Sequence, residues 1–208
     1  NPEIVEEMQQ AREIKKEAES RVMAQAAISS NRDAIFNAPE DIVLGNPDGD
    51  VTVVEFYDYN CGFCKRAMND MISLLDKDSN IRFVLKEFPI LGPESLAAHR
   101  VAMSFRALAP EKYGEYHMQL LGADVRATEE YAIETAKSFG IDEAELRAGM
   151  DDPAIDQSIR QTYELANALG ISGTPSFVIG DEAVFGAVGE DVLREKIANM
   201  RQCESTIC

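Results

Sequence analysis

The sequence predicts an α/β fold: a strand–helix–strand unit, a long all-helical insertion, and a closing hairpin and helix around one sheet. Residues 51–57 form a near-continuous β-branched and aromatic run, as expected of a strand covered on both faces. Apolar residues then recur at helical spacing from residue 64 to residue 75, and residues 81–86 return to a strand pattern. Residues 93–170 carry only helical patterns. This order indicates a parallel βαβ unit interrupted by a helical block.

Composition excludes several classes of function. The 208 residues are 45% apolar and 27% charged, which suits a soluble chain with one sizeable core. A net charge of −17 repels phosphate backbones and anionic head groups, so we expect no nucleic acid partner and no membrane-surface binding. No stretch approaches the ~18 consecutive apolar residues of a membrane-spanning helix. The chain opens at Asn1 without an apolar signal segment, which we interpret as a mature or trimmed product.

A long helix is predicted ahead of the sheet. From Pro2 to about Ala34 the chain has no internal Gly or Pro and is rich in strong helix formers. Its apolar stripe is thin and cannot form a core alone, so that face needs a partner. Two interpretations stay open: an arm for self-association into a homo-oligomer, or a helix that lies on its own domain or is partly disordered. Pro39 cannot continue the helix, so Asn37–Asp41 is the predicted hinge.

After the helical insertion the chain returns to strand patterns. Asp152 and Pro153 are typical of a helix start, and Gly170 ends that helix. Two apolar runs, residues 176–179 and 183–188, flank a Gly-Asp turn and predict an antiparallel hairpin. A final amphipathic helix ends near residue 201. The predicted domains are an N-terminal arm (1–37), a sheet domain (38–92 and 171–202), an inserted helical subdomain (93–170) and a tail (203–208).

Two cysteines mark the candidate chemistry. Cys61-Gly62-Phe63-Cys64 lies where the strand ending near Tyr57 passes to the following helix. The N-terminus of a helix presents unpaired N–H groups and the positive end of its dipole, which favour a thiolate over a thiol. We therefore expect Cys61 to be an exposed nucleophile of low pKa and Cys64 to be a sheltered resolving thiol. This spacing lets a protein form a mixed disulfide with another chain and then release it.

The residues around this motif resemble a known family. Glu-Phe-Tyr-Asp-Tyr-Asn-Cys-Gly-Phe-Cys after a β-branched strand, a helical block, and Gly-Thr-Pro before a hairpin are similar to the DsbA/DsbG-type thioredoxin-fold proteins of the bacterial envelope. The branch with a long N-terminal helix, ScsC-like proteins, resembles the chain most. The likeness covers residues 38–202 well and the first helix more loosely. It implies a periplasmic thiol-disulfide oxidoreductase that acts on cysteine-containing polypeptides, is recycled by a membrane redox partner and has lost its signal peptide.

The resemblance also implies roles for single residues. Cys61 and Cys64 match the redox pair. Glu55 falls where relatives keep a buried acid that accepts a proton as the resolving thiol attacks. A Glu in a strand that is apolar on both faces is costly unless hydrogen-bonded or functional, and a raised pKa would suit a proton carrier. The alternative is a partly exposed strand residue.

Substrate contacts are expected at a second loop. Thr174 and Pro175 match the family's loop whose cis-proline faces the disulfide and whose backbone pairs with the substrate chain. An X–Pro bond is where a cis peptide is accessible, so this loop after Gly173 can present backbone groups to an extended peptide. A turn needed only by the fold is the alternative. Phe63 completes the predicted substrate-binding set.

The motif also indicates a redox direction. Phe63 replaces the His that helps to hold the thiolate in DsbA, so the pKa of Cys61 should lie above the value of about 3.5 in DsbA yet below the free value of about 8.5. Thr174 is typical of isomerases or reductases among relatives. We therefore expect an isomerase or a moderate dithiol oxidase. The alternative function is a chaperone or soft-metal-binding protein of the envelope that uses the cysteine pair as a binding site.

The remaining cysteines and histidines carry weaker signals. Cys203 and Cys208 are interpreted as a structural disulfide; free or intermolecular thiols and an accessory redox pair are the alternatives. Zinc sites with four cysteines use two knuckles in small loops, which these pairs do not match, so no metal and no cofactor is predicted. His99 and His117 lie in helical, partly apolar patterns and are interpreted as core or surface residues rather than ligands.

Overall fold

A five-stranded mixed sheet organises the chain. The computed structural model describes Arg12, Lys15 and residues 21–208. The strand order is β1-β3-β2-β4-β5; β2 and β3 are parallel, and the other neighbours are antiparallel. This arrangement confirms the predicted α/β fold class. The strands are β1 (Ile42–Gly45), β2 (Val51–Tyr57), β3 (Ile81–Glu87), β4 (Ser176–Ile179) and β5 (Glu182–Phe185).

The central strand β2 is covered on both faces, as its apolar sequence predicts. Val53 and Tyr57 on one face belong to the larger apolar core, together with the insertion and the helix that links β2 to β3. Val54 and Phe56 on the other face belong to a second core. β2 lies between β3 and β4 in the sheet. Because β4 runs antiparallel to β2, the C-terminal end of β2 lies beside the start of β4 and the loop that precedes it. That end carries the cysteine motif.

The helices fall where the spacing predicts them, with shifts of a few residues at the ends. The second hairpin strand ends at Phe185 instead of residue 188, because Gly186 turns the chain with a φ of +84°. The last helix runs on to Cys203. Within the described part of the chain, no helix has the length and apolarity to cross a bilayer. The helices are α1 (residues 21–30), α2 (Arg32–Phe36), α3 (Gly62–Lys77), α4 (Pro93–Leu108), a 3-10 turn (Pro110–Lys112), α5 (Tyr113–Gly122), α6 (Glu129–Ser138), α7 (Glu143–Met150), α8 (Pro153–Ala168) and α9 (Glu190–Cys203).

The N-terminal helix is broken at Asn31, so the prediction of one uninterrupted helix to about Ala34 was wrong. The Asn31 side-chain amide donates to the Ala27 carbonyl at 2.8 Å, a local bond that competes with helix continuation. Ile28, Ile35 and Phe36 are buried in the second core, so this part lies on its own domain. Residues 1–20, apart from Arg12 and Lys15, lie outside the described residues, so self-association through the arm stays a prediction.

Candidate active site

Cys61 occupies the N-cap of α3. Its sulfur accepts a hydrogen bond from the main-chain N–H of Cys64 at 3.4 Å, and its own N–H donates to the Asp58 carbonyl at 3.0 Å. Cys64 lies in the first helical turn, and both residues are free thiols. The strand-to-helix junction thus places one sulfur at the positive end of the helix and the other inside it.

The two sulfurs differ in acidity. The hydrogen bond from the Cys64 side chain, with smaller contributions from Thr174 and from the N–H groups of Cys64 and Phe63, lowers the pKa of Cys61 to about 5, although burial raises it. Burial raises the pKa of Cys64, and the hydrogen bond to Cys61 and the charge of Glu55 add to that rise. At neutral pH Cys61 is therefore a thiolate and Cys64 a thiol.

Cys61 is less exposed than the sequence predicts. Only 6% of its surface is accessible, and Cys64 is fully buried. The reason is the loop before β4: Sγ of Cys61 lies 3.2 Å from the Thr174 carbonyl oxygen, so this loop covers the sulfur. The expectation of an exposed nucleophile is corrected accordingly. A client must approach along the Thr174 loop.

The loop before β4 contains the cis peptide bond Thr174–Pro175. Two of its carbonyls accept hydrogen bonds from residues that follow: Ser176 Oγ donates to the Gly173 carbonyl at 2.8 Å, and the N–H of Gly186, just after β5, donates to the Pro175 carbonyl at 2.9 Å. Thr174 is half-buried and Gly173 is exposed. This loop therefore has a fixed backbone facing the cysteine pair.

Phe63 lies on the open side of the motif. Its side chain is 57% exposed, and the guanidinium of Arg66 stacks over its ring at 4.2 Å from the centroid. An exposed aromatic ring next to a reactive sulfur offers an apolar contact to an incoming peptide.

Glu55 is buried beneath the cysteines. It is 2% exposed, lies opposite Leu85 and Phe177 in the sheet, and its Oε1 has no hydrogen-bond partner among the described residues. Burial raises its pKa to about 8, with smaller contributions from the negative charges of Cys61 and Asp70. The carboxyl is therefore protonated at neutral pH and coupled electrostatically to the cysteines.

A network of buried polar residues behind the motif was missed in the sequence analysis. Glu87 and His99 form a hydrogen-bonded pair, and Glu87 also accepts from Tyr113 at 2.5 Å. Each of these three side chains is at most 5% exposed. The hydroxyls of Tyr57 and Tyr59 each lie 3.0 Å from that of Tyr113. The acidic Glu87 at the C-terminal end of β3 was the one available signal for this network.

Asp58 is a second residue that sequence reasoning missed. It is fully buried and accepts hydrogen bonds from the Asn60 N–H at 2.8 Å, the Leu91 N–H at 3.0 Å and the Ser95 hydroxyl at 2.8 Å. The loop before Cys61 is therefore fastened to the start of α4.

The second pair of cysteines lies in the C-terminal tail. Cys203 and Cys208 are joined by a disulfide with a Cα–Cα distance of 6.2 Å. The loop that the disulfide closes contains Thr206, which is 1% exposed and whose N–H donates to Asp181 at 3.2 Å.

His99 and His117 are buried among tyrosines. Over the described ranges no group of three or more His, Cys, Asp or Glu side chains is arranged to hold a metal ion.

Comparison with known proteins gives one consistent answer. The DSBA-like thioredoxin domain matches residues 52–198. A thioredoxin-like oxidoreductase from Silicibacter pomeroyi is 43% identical, with a TM-score of 0.79 over 83% of this chain and 99% of that one. The thiol-disulfide exchange protein alpha-DsbA2 from Wolbachia pipientis is 34% identical, with a TM-score of 0.80 over 88% and 98%. A linker-deletion variant of ScsC from Proteus mirabilis is 25% identical, with a TM-score of 0.83 over 96% and 92%.

Curated relatives are more distant. The chain spans 74% of a disulfide bond formation protein D from Bacillus subtilis, at 24% identity, but only about a quarter of the length of the sodium/proton antiporters that it also matches. The match to the family covers most of the sheet, the cysteine motif and the whole helical insertion. It confirms the resemblance found in the sequence, including its nearness to ScsC: the chain belongs to the family of DSBA-like thioredoxin-domain proteins.

Proposed function

We propose that this protein exchanges disulfides with cysteine-containing polypeptides, with Cys61 as the attacking and attacked sulfur and Cys64 as the resolving one. The observation that carries this proposal is the inequality of the two sulfurs, with the pKa of Cys61 lowered to about 5 and that of Cys64 raised. Family membership supports the same chemistry. No cofactor is needed for it, because the electrons remain in sulfur–sulfur bonds.

In the oxidising direction, a client thiolate attacks the sulfur of Cys61 in the Cys61–Cys64 disulfide. A client–Cys61 bond forms, the Cys61–Cys64 bond breaks, and Cys64 leaves as a thiolate. A second client thiolate then attacks the client sulfur of the mixed disulfide, and Cys61 leaves as a thiolate. The client loses two electrons and gains a disulfide, while the protein is reduced to a dithiol.

Glu55 supplies the proton that this cycle needs. Its pKa of about 8 keeps it protonated at neutral pH, so it gives a proton to the departing Cys64 thiolate. In the reverse direction the Glu55 carboxylate takes the proton from Cys64 as that thiol attacks a mixed disulfide. A buried carboxyl with one unpartnered oxygen suits this shuttle better than a structural role.

The client docks on the loop that covers Cys61. Gly173, Thr174 and Pro175 present a fixed backbone to an extended segment on either side of its cysteine, and the exposed ring of Phe63 contacts its side chains. Because the main chain makes the principal contacts, we expect tolerance of many client sequences.

The acidity of Cys61 bears on direction. A stabilised thiolate favours the dithiol form of the protein and so makes its disulfide oxidising. A pKa of about 5, between that of DsbA and that of a free cysteine, supports a moderate oxidase or an isomerase. An isomerase would start from the dithiol, with Cys61 attacking wrong client disulfides. In an oligomer assembled through the N-terminal arm, the active sites of several protomers would then surround one client.

The family likeness supports a periplasmic location and recycling by a membrane redox partner.

The proposal is tested with reduced and scrambled ribonuclease as clients. We expect the wild-type disulfide form to oxidise the reduced client and the dithiol form to recover activity from the scrambled one. The Cys203→Ser/Cys208→Ser variant is the matched control and should retain both activities, whereas alkylation of Cys61 and Cys64 should abolish them. Client refolding that persists after alkylation would instead indicate a chaperone, and stoichiometric binding of Cu(I) or Zn(II) without exchange a soft-metal binder.

A further inference from the structure

The loop that precedes Cys61 is held mainly by the helical insertion. Asn60 pairs with the main chain of Ala127 in both directions, donating to its carbonyl at 3.0 Å and accepting from its N–H at 2.8 Å. The Asn60 amide also donates to the Ser95 hydroxyl at 3.1 Å. Asp58 binds Ser95 as well. The thioredoxin sheet therefore supplies the strand that leads to Cys61, and the insertion holds the three residues between them.

Tyr59 is fixed in a different way, through its main chain. Its N–H donates to Nε2 of His99 on α4 at 3.3 Å. A nitrogen that accepts carries no proton, so the His99 proton lies on Nδ1, which faces Glu87 Oε2. The contact with Glu87 thus stabilises one imidazole tautomer of His99, in which the lone pair of Nε2 points toward the Tyr59 N–H.

Glu87 is suited to hold that tautomer. Burial raises the pKa of Glu87, but its contacts with His99 and Tyr113 lower it more, so the carboxylate is ionised. Its two oxygens are occupied by different donors, His99 on α4 and Tyr113 on α5. All three side chains lie in the interior, where each lost hydrogen bond leaves a polar group without water.

We propose that His99, held by Glu87, is a positioning residue that fixes the Tyr59 backbone and thereby sets Cys61 at the N-cap of α3. The inference rests on the proposed function of Cys61 as the exchanging sulfur. The thiolate is stabilised by donors whose alignment depends on the place of Cys61 relative to the first turn of α3. Loosening the loop two residues upstream weakens that alignment and leaves the thiolate less stable. The insertion then acts on redox chemistry through this contact and not only on folding.

Two substitutions separate the two hydrogen bonds of His99. His99→Gln places an amide oxygen where Nε2 lies and keeps an acceptor for the Tyr59 N–H. His99→Asn places its amide near Nδ1, keeps a donor for Glu87 and removes the acceptor. Both introduce an amide in place of the same ring, so their comparison isolates the contact with the loop.

The readouts are the pH titration of the Cys61 thiolate by its ultraviolet absorbance and the equilibrium constant of the protein disulfide with glutathione. For His99→Asn we expect a raised Cys61 pKa and an equilibrium at least about tenfold less oxidising, since one pKa unit corresponds to a factor of ten. His99→Gln should stay close to wild type. An unchanged thiolate titration in folded His99→Asn, or an equal shift in both variants, overturns the proposal.

Glu87→Gln is a second variant that leaves the imidazole intact. The Gln amide carries no charge and has only one acceptor oxygen for the two donors, Nδ1–H of His99 and the Tyr113 hydroxyl, so it holds the Nδ1–H tautomer less strongly than the carboxylate. We expect the same direction of change as in His99→Asn, and no change would contradict the proposed role of the pair. The titration observes Cys61 directly. A shift of the Cys61 pKa without client exchange would therefore refute the proposed function while supporting the positioning role.

Discussion

Sγ of Cys61 lies 3.2 Å from the carbonyl oxygen of Thr174, although 113 residues of sequence separate them. The sheet causes this contact, because β2 leads into Cys61, the Thr174 loop leads into β4, and the two strands are antiparallel neighbours. The same pairing sets Glu55 opposite Phe177. The candidate nucleophile, the proton carrier and the docking loop are thus arranged by one pair of strands.

Substitution of the two cysteines should give different outcomes. Cys64→Ser retains the Cys61 thiolate but lacks the thiol that resolves the mixed disulfide. We therefore expect the mixed disulfide with a cysteine-containing client to accumulate. Cys61→Ser should lose exchange altogether, because the remaining sulfur is fully buried and has a raised pKa. Non-reducing gel electrophoresis of each variant incubated with the client distinguishes them. Equal amounts of adduct from both variants would contradict the assignment of Cys61 as the attacking sulfur.

Glu55→Gln tests the proton carrier by its effect on rate. The substitution keeps the shape of the side chain and removes its titrating proton. We expect the resolving step to slow by at least about tenfold at neutral pH, within the range for loss of a general acid or base. Rapid mixing of the dithiol form of the variant with a disulfide-bonded peptide measures this step. Glu195→Gln, at an exposed position of α9, is the control and should resolve like wild type.

The same variant should change how stability depends on pH. The folded pKa of Glu55 is about 8, above its ordinary value, so the folded state holds a proton that the unfolded chain has lost. The free energy of unfolding therefore falls as pH rises from about 4.5 to about 8. In the disulfide form, where neither cysteine titrates, Glu55→Gln should make the free energy of unfolding decrease less over this pH range. Denaturant titrations at several pH values measure this dependence. An identical slope in the variant would mean that Glu55 titrates normally.

Local sequence patterns are sufficient for the βαβ unit and for the place of the cysteines, because strand and helix periods, glycines and prolines act over a few residues. The burial of Cys61 could not be predicted in this way, since the loop at Thr174 that covers it is remote in sequence. Nor could the contact between Glu87 on β3 and His99 on α4. It exists only once the insertion packs across the end of the sheet, and no local period records that packing.

The N-terminal break shows a similar limit. Helix propensity predicts a continuous helix, but the Asn31 amide donates to the Ala27 carbonyl and the helix is interrupted at Asn31. After the interruption, Ile35 and Phe36 are buried in the second core, and this burial stabilises the observed path of the chain. Tertiary packing therefore overrides propensity at this point.

A buried ion pair fastens the hinge that the sequence places at Asn37–Asp41. Lys86 donates to Asp41 at 2.6 Å and to the Ala34 carbonyl at 2.6 Å, with both charged side chains about 5% exposed. Burial raises the pKa of Asp41 to about 6, although Lys86 lowers it. Lys86→Met would leave the Asp41 carboxylate without its partner and should cost about 3–5 kcal/mol in the free energy of unfolding.

Adding Asp41→Asn to Lys86→Met should recover part of that loss, because the orphaned charge is removed. Lys137→Met, which breaks exposed ion pairs with Glu134 and Glu143, is the matched control and should change stability much less than Lys86→Met, because solvent screens exposed pairs. Denaturant unfolding above pH 6, where Asp41 is ionised in the wild type, measures all three. Equal losses from Lys86→Met and Lys137→Met would mean that the hinge is not fastened by this pair.

Truncation of the arm is the test of self-association. The structure determines where to cut: removing residues 1–36 would also remove Ile28, Ile35 and Phe36, which belong to the second core. Buried side chains of this size each contribute about 1.5–3 kcal/mol, so that deletion would unfold part of the domain and confuse the result. Deletion of residues 1–24 keeps these side chains and also keeps Gln25, whose amide donates to Asp181 at 2.7 Å.

We expect the 1–24 deletion to convert an oligomer to a monomer, because it removes the predicted apolar stripe together with Val22 and Met23, which are 64% and 72% exposed. Oxidation of a dithiol client should be retained, since Cys61, Cys64 and the Thr174 loop are untouched. Recovery of scrambled ribonuclease should fall, because isomerisation would lose the neighbouring sites around one client. Sedimentation gives the mass, and an unchanged mass, or an unchanged isomerase rate in a proven monomer, would refute the role of the arm.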